Sequence, residues 1–179
     1  MMTLLDETAR PPLRERIGRL LSECSRAEIA VGSIRLAVLD LTEQETRGVE
    51  RCRILLGRLE ARALSDLALS DARVEDQLHA LLAFLESGRV EIRSAGLGAW
   101  SPDFSIYRAR AAASGTCLVG AHYFREPPAP GGPAFTALLT DAHSIATALA
   151  RFEALWERSH DVLEPVVSAV HRRQSFSAA

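Results

Sequence analysis

Asp103, Ser105 and His122 are the residue types of an acyl-transfer triad, and they lie in one stretch, SPDFSIYRARAAASGTCLVGAHYF, residues 101–124. In a triad the serine attacks, the histidine takes its proton, and the aspartate orients the imidazole. The spacing argues against that chemistry. Asp103 and Ser105 stand two apart on one predicted strand, and no G-x-S-x-G elbow lifts the serine. The plainer reading makes Ser105 a small filler and His122 a strand-end residue. The remaining histidines, His79, His143, His160 and His171, form no His-x3-His pair, and there is no C-x-x-C. No metal site is expected.

The elements that must position these residues can be read from hydrophobic period. Residues 1–10 read as a loose leader. Leu13, Ile17, Leu20, Leu21 and Cys24 recur at helical spacing behind Pro11 and Pro12. Residues 27–34 form a short apolar run, a buried strand, and residues 35–47 turn into a helix behind it. Residues 51–57 are the next strand, closed by Gly57. A helix follows over 60–69. Asp71 caps another, with Val74, Leu78, Leu81, Leu82 and Leu85 as its stripe and Gly88 at its end. Strands are expected over 89–96, 103–110, 116–122 and 134–140, with the chain's one long loop, REPPAPGGP, before the last. Asp141 caps a helix carrying Ile145, Leu149, Phe152 and Trp156 on one side. A final helix spans about 164–173, with Pro165 tolerated in its first turn, and SFSAA frays. This order predicts a single α/β domain over 1–179, with a mixed central sheet flanked by helices on both faces.

Composition narrows the function further. At 179 residues, with 47% hydrophobic and 25% charged residues, the chain can bury a core without staples. A net charge of −2 argues against a wholly basic surface but allows a local basic cleft. All 21 basic residues are arginine, and asparagine is absent, so any mechanism that needs Lys or Asn is excluded. Cys24, Cys52 and Cys117 are odd in number and widely spaced, which reads as reduced, buried thiols and a cytoplasmic protein. No apolar run approaches a membrane span, and the N-terminus lacks a signal peptide's pattern.

Five stretches in order, EIAVGSIRL, GVERCRILLG, LESGRVEIRS, GTCLVGAHYF and FEALW, give the chain a resemblance to the phospholipase D-like superfamily. It is most similar to the single-copy, nuclease-like branch, over residues 27–159, leaving 160–179 as a C-terminal helix and tail. The resemblance implies a site built on H-x-K-x4-D, in which the histidine attacks phosphorus. The lysine, with a serine and an asparagine from the next strand, holds the phosphoryl oxygens. Aligned on Tyr107, Asp103 stands at the histidine position, Ser105 at the lysine and Arg110 at the aspartate. On the following strand Ala121 replaces the serine and Tyr123 the asparagine, with His122 between them. The resemblance therefore implies a retained scaffold with no catalytic residue in place and no cofactor.

Alternate residues of a strand share a face, so Asp103, Ser105 and Tyr107 should project together toward the would-be cleft. Phe104 and Ile106 should turn toward the helices. An aspartate can form an acyl phosphate but needs cationic or metal help with the oxygens. Arg108 and Arg110 have the parity of Phe104, not of Asp103. The arginines at 51, 53, 89, 93, 108 and 110 lie on or beside strands, where pairing with acids is the favoured role over phosphate binding.

These residues fit a degenerate phospholipase D-like protein acting as a binding, structural or regulatory subunit of a DNA-processing or defence complex. Two alternatives stay open: an active phosphodiesterase or nuclease with a rearranged site, and a small-ligand-binding module. A homodimer is expected, with Trp100, Tyr107, Tyr123 and Phe124 as candidate contacts. A further protein subunit or nucleic acid is the other expected partner; a membrane is not.

Overall fold

Two parallel strand pairs form the centre of the sheet: β2 (Arg26–Val31) with β3 (Arg51–Leu56), and β3 with β4 (Val90–Ser94). Each is a short apolar run with β-branched residues, as a strand buried on both faces requires. β5 (Phe104–Arg108) runs antiparallel to β2, placing Phe104 opposite Ala30. β6 (Gly115–Val119) and β7 (Thr136–Leu139) extend the sheet on that side. β1 (Met2–Leu5) and β8 (His160–Asp161) are the two edges, giving the order β1-β7-β6-β5-β2-β3-β4-β8. The computed structural model describes residues 2–5, 12–32, 43–57, 72–96, 103–109, 115–120 and 136–177.

Alternation along the strands divides the core into two layers. On one face Ala27, Ile29, Cys52, Ile54, Leu56, Val90, Ile92, Tyr107 and Leu118 pack with three helices. These are α1 (Leu13–Glu23), which supplies Ile17 and Leu21, α3 (Ala72–Leu85) with Leu81 and Leu85, and α5 (Leu163–Ser177) with Val166 and Val170. On the other face Ala30, Leu55, Phe104, Ile106 and Cys117 pack under α4 (Ala142–Trp156). Phe152 of α4 is fully buried, stacks on Trp156 at 5.4 Å and meets the Phe104 ring edge-on at 6.4 Å. Helices thus cover both faces of a mixed sheet.

The helix ends follow local chemistry. Asp141 accepts a hydrogen bond from the Ser144 N–H at 2.8 Å, an N-cap, and that bond holds its carboxyl down at about 2. Gly88, just past α3, has φ +72°, the left-handed conformation in which glycine carries no Cβ penalty. Gly18 of α1 leaves room for a bidentate Arg14–Glu45 pair to the short helix α2 (Glu43–Thr46). A Cβ there would clash with Glu45 Oε1.

Several expectations need correction. The supposed leader contains β1, whose Leu5 is buried beside α1 while Met2 and Leu4 are exposed. Four residues carry too few turns of pattern to signal a strand; pairing with β7 forms it. β8 is two residues long, too short for any periodicity in the sequence to mark it. The last helix runs on to Ser177 rather than ending near 173, so most of SFSAA is helical. The helix expected over 60–69 and most of that over 35–47 fall outside the described residues.

Candidate functional site at the start of β5

The parallel strands end at Val31, Leu56 and Ser94, and β5 begins at that same end. In open α/β sheets this carboxyl end is where ligands are met. Asp103 sits just ahead of β5, one step from the exit of β2, and its Oδ1 accepts the Gly32 N–H at 2.7 Å. Its own carbonyl accepts the Gly120 N–H, also at 2.7 Å, at the exit of β6. Gly120 has φ +75°, a left-handed turn that a side chain would strain. Asp103 thereby ties together the ends of β2, β5 and β6.

Ser105 and Tyr107 share a face of β5, with Ile29 opposite Ser105 and Ala27 opposite Tyr107, while Phe104 and Ile106 face α4. Asp103 is 5% exposed, Ser105 1% and Tyr107 3%. Burial pushes the Tyr107 phenol well above its ordinary range, and the neighbouring Ser105 hydroxyl offsets only part of this. Among the described residues no hydrogen bond of normal geometry satisfies Ser105 Oγ or Tyr107 OH. Arg110, Ala121, His122 and Tyr123 lie outside the described residues, as do Trp100 and Phe124. No group of three metal-binding side chains occurs among the described residues.

Arg51, Arg53 and Arg108 pair with glutamates, while Arg89 and Arg93 reach backbone carbonyls. Arg53 reaches Glu28 at 3.2 Å and makes a bidentate pair with Glu153 of α4, at 2.5 and 2.9 Å. Its guanidinium also lies 5.0 Å over the Phe152 ring and 5.3 Å over Trp156. Burial works against the Arg53 charge, but Glu153 and then Glu28 more than offset it, and its pKa is raised. The same bond from Arg53 lowers that of Glu153. Arg108 also pairs with Glu28, which is 2% exposed inside the sheet. Arg51 pairs with Glu91 at 2.8 Å. Arg93 covers Trp156 and donates to its carbonyl; Arg89 donates to the Thr46 and Val49 carbonyls. The sequence signal for Glu28 and Glu153 is a single acid inside an apolar strand run and another beside an apolar helix stripe.

Burial raises the Cys24 thiol to about 12 and Cys117 to about 11, and pushes Cys52 higher still. All three are free and buried, so none is a poised nucleophile. A cavity of about 410 Å³ opens beside α4, lined by Phe104, Val119, Leu139, Ala148, His143 and Arg151 among others. No helix among the described residues is long and apolar enough to cross a membrane.

No protein-family model matches the chain, and no curated protein matches it by sequence. Solved structures do match, and the fold they define is phospholipase D-like. Nuc from Salmonella typhimurium, a phospholipase D family member, superposes with a TM-score of 0.56 at 11% identity, covering 90% of this chain and 97% of Nuc. NucT from Helicobacter pylori gives 0.53 at 11% identity, covering 90% and 99%. TrmBL2, an archaeal chromatin protein whose structure shows a novel mode of DNA binding, gives 0.53 at 13% identity over 90% of this chain. This chain spans 54% of the length of TrmBL2. At such identities the shared property is the fold.

Proposed function

We infer that this chain is a catalytically degenerate phospholipase D-like protein, retained as a binding or structural subunit of a DNA-processing or defence-related assembly. The carrying observation is the state of Asp103 and Ser105, which align with the histidine and lysine of the H-x-K-x4-D motif. Both are buried, and Asp103 holds the Gly32 N–H. An attacking group needs a lone pair aimed at substrate and cations around the phosphoryl oxygens. A carboxylate braced against backbone, beside a hydroxyl where the motif has an ammonium, supplies neither. Arg53 is committed to Glu28 and Glu153, and Arg89 to the Thr46 and Val49 carbonyls.

The DNA-related part of the reading draws on the fold shared with Nuc, NucT and TrmBL2. Its cytoplasmic setting draws on three buried free thiols. Pairing with a second copy follows the expectation for single-copy members of this fold. The test is hydrolysis of a chromogenic phosphodiester by the full chain and by Asp103→Ala. The reading predicts equal, background rates. Robust metal-independent hydrolysis that Asp103→Ala abolishes overturns it.

The cavity beside α4 favours a second reading, a small-ligand module. A thermal-shift screen separates the two, because a specific ligand raises Tm by mass action.

A further inference from the structure

The strand register sets three arginines side by side at the end of the sheet opposite Asp103. Arg26 of β2 is directly opposite Arg108 of β5 on one side and Arg51 of β3 on the other. All three have the parity of the α4 face. Like charges directly opposite one another on a sheet are unfavourable, and Glu28 and Glu91 offset that repulsion for Arg108 and Arg51 but not for Arg26. Arg26 is exposed, and among the described residues no carboxylate pairs with it. The Arg51 side chain is 52% exposed and its partner Glu91 40%, a pair that solvent weakens and an anion can exchange. Arg108 is 27% exposed with Glu28 behind it.

Counted over the strands of this face and Glu153 of α4, Arg26, Arg51, Arg53, Arg93 and Arg108 stand against Glu28, Glu91, Glu153 and Asp161, the last directly opposite Arg93. The face thus carries a small positive excess on a chain of net charge −2, and that excess is concentrated where Arg26, Arg51 and Arg108 stand in register. Glu23 and Glu50 lie at the same end of the sheet, with Arg47 and Arg89 beside them. Adjacent strands are about 4.8 Å apart, so the three Cα positions span roughly 10 Å in a line. A line of guanidinium groups, one without a carboxylate among the described residues and one in a solvent-exposed pair, suits a repeating phosphate polymer better than one enclosed ion, and guanidinium is the side chain best matched to phosphate oxygens.

We propose that Arg26, Arg51 and Arg108 form a phosphate-backbone contact for nucleic acid, on the α4 face at the end of the sheet remote from Asp103. This inference does not depend on Asp103 being inert. It concerns another surface, and a chain that binds DNA here can be cleaving or non-cleaving.

The experiment is fluorescence anisotropy of the full chain with labelled single-stranded and duplex DNA across a salt series. The variants are Arg26→Gln with Arg51→Gln, which leaves the Arg108–Glu28 pair in place, and Arg172→Gln on α5, which covers the other face. Circular dichroism and Tm verify that each is folded. Two lost phosphate contacts should lower the slope of log affinity against log salt by about 1.4 for a single strand and about 1.8 for a duplex. Affinity should fall alike for every sequence tried, and Arg172→Gln should change neither quantity. A folded double variant with an unchanged slope overturns the proposal, as does an equal loss in Arg172→Gln. Absence of DNA binding at low salt also overturns it, while leaving the hydrolysis result for Asp103 untouched. Inorganic phosphate titrated into the same protein supplies the last arm: saturable binding of phosphate without binding of DNA assigns the row to a small anion and overturns the nucleic-acid assignment.

Discussion

Glu28 is the buried acid of β2 that joins Arg53 of β3 to Arg108 of β5, and replacing it with alanine gives the sharpest test of that network. Its carboxylate is buried and meets both Arg53 and Arg108. Removing one member of a buried pair costs about 3–5 kcal/mol, because the other charge stays desolvated. Here Arg53 keeps its bidentate bond to Glu153, and Arg108 is exposed enough to turn toward water. The lower end applies, about 3 kcal/mol for Glu28→Ala. For a domain of this size that is a fall in Tm of roughly 6–12 °C. Urea unfolding measures it as a shift of midpoint at constant m. Replacing the pair together, Glu28→Leu with Arg53→Met, should restore most of the loss, since apolar residues of similar volume satisfy a buried site without desolvating charge. A Glu28→Ala protein within about 1 kcal/mol of wild type refutes the argument, as does a double variant less stable than the single one.

Phe152→Ala should cost about 3–5 kcal/mol in the same assay, because a fully buried ring stacked on Trp156 leaves a cavity. Tyr107→Phe removes a buried hydroxyl that has no hydrogen bond of normal geometry among the described residues, and should be neutral or stabilising by up to about 1 kcal/mol; a large loss means the hydroxyl has a partner. The Asp141 carboxyl is lowered from 3.8 to about 2 in the folded chain, so its contribution is present above pH 4 and is lost as pH falls through about 2. The stability difference between wild type and Asp141→Ala should therefore shrink over that window. A thiol reagent at neutral pH should modify no cysteine in the native protein and all of Cys24, Cys52 and Cys117 in denaturant.

The central strands were legible because β2, β3 and β4 are short apolar runs bounded by turns, and their residues carry the pattern locally. The two faces of β5 followed from period two alone: Asp103, Ser105 and Tyr107 against Phe104 and Ile106. The role of arginine on the strands was also readable, since an arginine in a buried run must find an acid or a carbonyl. What sequence could not supply was long-range. Glu28 pairs across two strands with residues 25 and 80 positions away. β1 becomes a strand through β7, far along the chain. The Asp103 brace on Gly32 joins residues 71 apart, and nothing local to Asp103 announces it. The row of Arg108, Arg26 and Arg51 exists only once the register is known.

The measurement closest to the central claim is incubation of the full chain with end-labelled single-stranded and duplex DNA, with and without a chelator, followed by separation of bound, free and cleaved species. The account predicts DNA that is retained by the protein and remains full length, identically for wild type and Asp103→Ala. Cleavage products that appear with wild type, persist in chelator and vanish with Asp103→Ala contradict it.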